Sequence, residues 1–523
     1  VTGGGPSGPG PHPDTPTPPA SAPPPGGPGW LHEGTAPPGS TRPAWLPGGG
    51  AEPRPPGPPG WAAGGPGWGP PAPPPPPRRR GPLLPLLALL LVAVLASAGL
   101  LVTLTNDRRE TPTPTSVGPA PGSTRAAPPT TRPPAAAPRA PAAVRAVQSD
   151  VTELRGLRFR RQVPVTIESP NKLARRLLRT LDAETDEARK AREGRALAVL
   201  GELPQGTDLP RLLRRIQAES VLGFYLPGRD PKGRLYVRSS RGLDPYARVV
   251  LAHEFTHALT DQHYDLTRSD RLAAATGRDD EETAYSALAE GDATLVMQRY
   301  LRERLTPAEQ AAAALASAGD RTPRRDAAPA AIREPMLFPY QEGLRFVYLL
   351  HQAGGWAAVN RAYRDPPTST EQILHPDKYL VRRDRPQQVT VPDVSARLGA
   401  GWGRGTEIGF GELDARLLLT TKLSQGTAEA AAAGWDGGRL RTFERAGRTA
   451  LVLRTVWDSS AEASEFCTAM SRWATARFGI STTRRWSGQS QHTALRCQGP
   501  RATLLSAPDQ TTFHRLLAAI PRA

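Results

Sequence analysis

The stretch VVLAHEFTHALTDQH, Val249 to His263, decides how the rest of the chain is read. Asp244 and Pro245 ahead of it form a helix start signal, and the apolar pattern continues through Leu259, so the stretch is predicted to be helical. On a helix His253 and His257 fall one turn apart on the same face, where two imidazoles can bind one metal ion. Glu254 follows His253 directly, beside such an ion but outside its coordination shell. A carboxylate at that place can take a proton from metal-activated water and pass it to a leaving amine, which makes Glu254 the expected catalytic base. Zinc suits the pattern because it lowers the pKa of bound water to about 7 and so provides a nucleophile at neutral pH.

Two neighbouring stretches extend the pattern. Upstream, VLGFYLPGRDPKGRLYVRSS has two runs rich in Tyr, Val and Leu around a Gly/Asp/Pro turn, and is predicted to form a β-hairpin from Leu222 to Arg238. Downstream, EETAYSALAEGDATLVMQRYL reads as a second helix. Glu290 sits there among Ala, Leu and Gly, and a carboxylate on an apolar face is costly unless it is paired or bound to metal. Glu290 is therefore the expected third ligand, with Glu281 and Glu282 as competitors. Those two adjoin Asp279 and Asp280 in a charge run of the kind that usually faces solvent.

On these residues the chain resembles the gluzincin metallopeptidases, the thermolysin-like group, most closely over HEFTHALTD from His253 to Asp261 and over the helix around Glu290. The resemblance implies a zincin-like, predominantly helical α+β domain, with His253, His257 and Glu290 as zinc ligands, Glu254 as base, and a protein or peptide substrate. An edge strand before the active helix would then bind the substrate backbone by strand addition. The chain departs from the pattern in a longer spacing between His257 and Glu290, and in Thr294, which stands where the family has an acid. Asp261 or Asp292 is left as the partner for a ligand histidine. His375, Tyr379, Tyr285 and Tyr340 are open alternatives as stabiliser of the oxyanion.

The rest of the 523 residues supports this core. About two-thirds of the 60 prolines precede residue 142, so residues 1–80 read as a disordered Pro/Gly-rich cytoplasmic tail, able to dock a cytoplasmic partner domain. Leu83 to Thr105 carries no charge and spans about 35 Å as a helix, so residues 81–105 are expected to cross a membrane once, after Arg78, Arg79 and Arg80. Residues 106–148 read as a Pro/Thr/Ala-rich stalk. Residues 149–400 then form the zinc peptidase-like domain outside the cytoplasm, and residues 401–523 a small C-terminal α+β region. Cys467 and Cys497, the only cysteines, either form a disulfide that contributes about 3 kcal/mol or remain two unpaired core thiols. The net charge of +17 does not cluster on the folded part, where arginines alternate with acids as in ETDEARKAREGR, so no nucleic-acid partner is expected. The rival to a peptidase is a catalytically idle scaffold or receptor that works through its Pro-rich tail. Retention of Glu254 argues against it, since a structural metal needs no base.

Overall fold

The computed structural model describes residues 140–521, apart from 185, 228–232, 241, 321 and 482. The tail at 1–80 and the segment from Leu83 to Thr105 lie outside the described residues. Among the described residues no helix is long and apolar enough to cross a membrane, and the expected single-pass placement at a cell membrane is corrected accordingly.

The first described element is a helix, α1 (Ala140–Arg155), which takes in the last residues assigned by composition to a stalk. Its Val147, Val151 and Leu154 recur at helical spacing and are buried, which gives a short Ala-rich stretch enough apolar contact to fold. Strand β1 (Val165–Glu168) follows, then α2 (Pro170–Glu184), α3 (Glu187–Leu200) and α4 (Leu209–Ser220). The expected hairpin is present as β2 (Gly223–Leu226) and β3 (Arg234–Arg238). It belongs to a three-stranded sheet in the order β1-β3-β2, with β1 parallel and β2 antiparallel to β3.

Strand alternation gives this sheet two apolar faces. Leu235 and Val237 pack with Val250, Leu251 and Phe255 of α5 (Pro245–Tyr264). On the opposite face Phe224 and Tyr236 meet Leu173, Leu177 and Ile216 of α2 and α4. Helix α5 is thus covered on nearly every side and shows no single apolar stripe. Asp244 caps it by accepting from the Ala247 N–H at 2.8 Å, with Pro245 in its first turn.

After α6 (Arg268–Ala274) come α7 (Asp279–Arg304), α8 (Pro307–Gly319) and α9 (Ala330–Arg364). Helix α9 passes through Pro335 and Pro339 and is interrupted at Gly354 and Gly355, where the backbone leaves helical geometry. Helices α7 and α9 touch backbone to backbone: a Cβ on Gly291 would collide with the Gly343 carbonyl, and one on Gly343 with the Ala287 carbonyl. The acidic start of α7 is not the solvated run expected. Asp280 and Glu282 are buried, Asp280 accepting from the backbone and hydroxyl of Thr370 in α10 (Thr370–Leu374).

The C-terminal region is a six-stranded antiparallel sheet in the order β4-β5-β6-β9-β8-β7. Its strands are β4 (Gly403–Gly409), β5 (Trp435–Arg445), β6 (Arg448–Trp457), β7 (Arg485–Gly488), β8 (Gln491–Gln498) and β9 (Arg501–Ala507). One face, with Leu440, Leu451, Leu453 and Leu504, is covered by α11 (Glu412–Thr420), α12 (Gln425–Ala432) and α13 (Ser460–Phe478). Residues Ala196, Val199 and Leu200 of α3 complete that core. The other face, with Phe443, Val452 and Leu505, packs on α14 (Gln510–Ala519). Cys467 on α13 is bonded to Cys497 on β8, which ties helix to sheet. The whole is mixed α and β with two sheets.

The glycine contact makes a stability prediction. Gly291→Ala and Gly343→Ala are each expected to cost about 1–3 kcal/mol, because rigid backbone must move to admit the methyl group. Gly426→Ala, where a Cβ meets nothing within 4 Å, is expected to stay within about 1 kcal/mol of the parent. Urea denaturation of the three variants checks both statements.

Candidate metal centre

The middle of α5 and the middle of α7 meet at three side chains. His253 Nε2 lies 3.0 Å from His257 Nε2 and 3.2 Å from Glu290 Oε2, and His257 Nε2 lies 3.4 Å from the same oxygen. The three donor atoms all fall within 4.8 Å of one another, and all three residues are buried. Helical spacing accounts for the pair of imidazoles, and the close passage of α9 behind Gly291 holds α7 where Glu290 can reach them.

Glu254 is next to this group and 1 % exposed. Its neighbour on the far side is β2. The Arg238 N–H donates to the Leu222 carbonyl, so Leu222 and Phe224 turn their peptide groups toward β3, while Gly223 and Tyr225 turn theirs outward. The Tyr225 N–H meets the Glu254 carboxylate. At Gly223 a Cβ would sit 3.1 Å from Glu254 Cγ and 3.0 Å from Val250 Cγ1, so a glycine lets the strand lie close on the helix.

The two glutamates are driven apart electrostatically. Burial pushes the Glu254 carboxyl well above the usual carboxylate range and the Glu290 charge adds to this, with the Tyr225 amide opposing. Burial would raise Glu290 too, but His257 and His253 outweigh it and hold its carboxyl down at about 2. His253 is pushed down by burial, against the pull of Glu290. The result is a carboxylate held ionised beside a second carboxyl that readily holds a proton. Such divergence between neighbouring acids is what acid–base chemistry requires.

The donor set fits a divalent cation. Two imidazole nitrogens and one carboxylate oxygen converge, and Glu290 Oε1, Glu254 Oε2 and His253 Nδ1 are buried without a hydrogen-bond partner among the described residues. A His/His/Glu set suits zinc. A second acidic group, Glu371, Asp384 and Asp458, is of another kind. It surrounds the Lys378 ammonium at 2.6, 3.3 and 2.7 Å, so a cation already sits among the three carboxyl groups.

Other expected residues lie elsewhere. Glu281 pairs with Arg278 and Arg268, and Glu282 accepts from Ser269 and Ser286, so neither competes with Glu290. Asp261 accepts from the Tyr225 hydroxyl and the Leu266 N–H, each at 2.8 Å. Asp292 bonds Arg155, Thr260 and Tyr363. Both aspartates are thus engaged with groups other than the ligand histidines. Of the four residues considered for the oxyanion, His375 bonds Glu412 at 3.0 Å, the Tyr379 hydroxyl donates to the Asp365 carbonyl, and Tyr285 packs on Tyr363. Tyr340 stacks on His253, with ring centroids 6.3 Å apart. The Arg155–Asp292 pair has no counterpart in the sequence reading, since 137 residues separate its members.

Comparison with known proteins adds little to the site. Residues 396–517 match the sequence family described as Domain of unknown function (DUF8575), which covers the C-terminal sheet and its helices and not the metal centre. No curated protein matches the chain. Among solved structures, the chain is similar to one from Chloroflexus aurantiacus described as a "putative hydrolase with a novel fold", at 21 % identity and a TM-score of 0.32. The match covers 47 % of this chain and 89 % of that one.

The ligand set can be tested by metal content. The purified protein is expected to hold one zinc ion per chain by plasma mass spectrometry. His253→Ala, His257→Ala and Glu290→Ala should each lose it, while Glu281→Gln and Glu282→Gln keep it.

Proposed function

We propose that this protein is a zinc-dependent hydrolase that cleaves peptide bonds, with His253, His257 and Glu290 as ligands and Glu254 as general base. The observation that carries the reading is the convergence of two imidazoles and a buried carboxylate with a second, protonatable carboxyl alongside. Zinc bound by this set supplies a Lewis acid and a water whose pKa falls to about 7. Glu254, in its ionised form, would take a proton from water activated at this site and deliver it to the departing amine nitrogen, and burial strengthens its hold on that proton. Glu290, held ionised, and His253, pushed toward its neutral form by burial, suit ligation.

Strand β2 bears on the substrate class. Its edge turns the peptide groups of Gly223 and Tyr225 away from β3, and the Tyr225 N–H is taken by Glu254. An extended peptide adding to this edge as a further strand would carry its scissile bond toward Glu254. Main-chain pairing of this kind selects a polypeptide over other amides. Tyr340, whose ring stacks on His253, would donate its phenolic hydrogen to the oxygen that gains charge in the transition state.

Two variants test the assignment with a casein or mixed-peptide substrate. Glu254→Gln should lower turnover by about a thousandfold or more with zinc content unchanged, as removal of the base requires. Tyr340→Phe should lower kcat by about a hundredfold, again with zinc retained. Parental turnover in Glu254→Gln, or zinc bound by a parent protein that cleaves no peptide, would refute the peptidase reading.

A further inference from the structure

We infer that Arg155, which lies outside the ligand set, is a positioning residue for the metal ligands and acts through Asp292; the inference rests on the zinc reading above. Arg155 closes α1, and its side chain enters the interior with no exposure. Its Nε donates to Asp292 Oδ1 at 2.7 Å, and the guanidinium lies over the Trp356 ring, 4.4 Å from the centroid. Nη1 and Nη2 have no hydrogen-bond partner among the described residues. A buried cation so incompletely paired is a poor device for stability alone, because an apolar pair of similar volume does that work at no desolvation cost.

What the pair achieves is the placement of one carboxylate. Asp292 stands two residues after Glu290 on α7. Its Oδ2 accepts from the Thr260 hydroxyl at 3.3 Å and from the Tyr363 hydroxyl at 3.0 Å. Thr260 stands three residues after His257 on α5. Asp292 therefore joins α1, α5, α7 and the last turns of α9 within about one helical turn of Glu290 and His257. A rotation or slide of α7 large enough to carry Glu290 Oε2 away from the imidazoles would have to break these bonds as well. Arg155 provides the fixed positive end against which Asp292 is held. Neither aspartate near the site bonds a ligand histidine directly, so this tie between helices is where orientation is set.

The test measures zinc affinity on the full chain by competition with a chromophoric chelator, alongside the Tm of the metal-free form. Arg155→Met combined with Asp292→Asn removes both charges together and leaves no unpaired ion in the interior. Tyr363→Phe deletes one hydroxyl and keeps the ring. The double variant is expected to bind zinc roughly 10–100-fold more weakly, and Tyr363→Phe about threefold or more, with its metal-free Tm near that of the parent. A lowered Tm with zinc affinity within about twofold of the parent is the signature of a purely structural role and overturns the inference. Should the double variant fail to fold, Tyr363→Phe decides by itself on the same criterion. A parent that binds no zinc is a different outcome, since it removes the metal assignment on which the inference stands.

Discussion

A carboxylate withdrawn from water must meet positive charge or be neutralised, and the arrangement of helices around Glu290 follows from that requirement. Glu290 is wholly buried in the middle of α7, and the groups that face it are two imidazoles from α5. Placing them there fixes how α5 and α7 cross. The three-stranded sheet then has to cover the remaining side of α5, and α9 has to pass behind α7. Each of these elements is shaped by the need to seat one anion among nitrogens.

Glycine is what lets the helices come near enough. With side chains at 291 and 343, α7 and α9 would stand apart by at least a methyl group, and α7 would have no rigid support behind Glu290. Gly223 has the corresponding part on the strand side, where it brings main-chain groups within reach of Glu254. Three positions without side chains thus set the depth of the centre from two directions. The acidic start of α7 fastens the same helix at its end, through Thr370 and, from Asp279, through the Gly409 N–H of β4.

Much of this was legible in the sequence where the signal was local. The cap at Asp244, the hairpin and the histidine spacing are short-range patterns, and each reappears in the structure. Glu290 was singled out because its neighbours are small and apolar, which reflects the burial observed. Long-range pairing was not legible. Nothing near Arg155 marks it as the partner of Asp292, and Asp280 looked solvated because the residues that satisfy it, Thr370 above all, lie 90 positions away. Composition also misled at α1, whose alanines read as linker until Val147, Val151 and Leu154 are seen packed on α5. In the C-terminal region the central hairpin is marked by apolar runs around the Ala446–Gly447 turn, whereas β4, α11 and α12 gain their order from contacts with other parts of the chain.

The packing of α3 on the C-terminal sheet bears on where this polypeptide can be divided. The recurring sequence unit at 396–517 does not include Ala196, Val199 and Leu200, yet these close one side of its apolar interior. Excised at its own borders, that unit would present a greasy furrow to solvent. Any chain that carries the unit in another setting must therefore fill the furrow with a foreign segment or a different set of side chains.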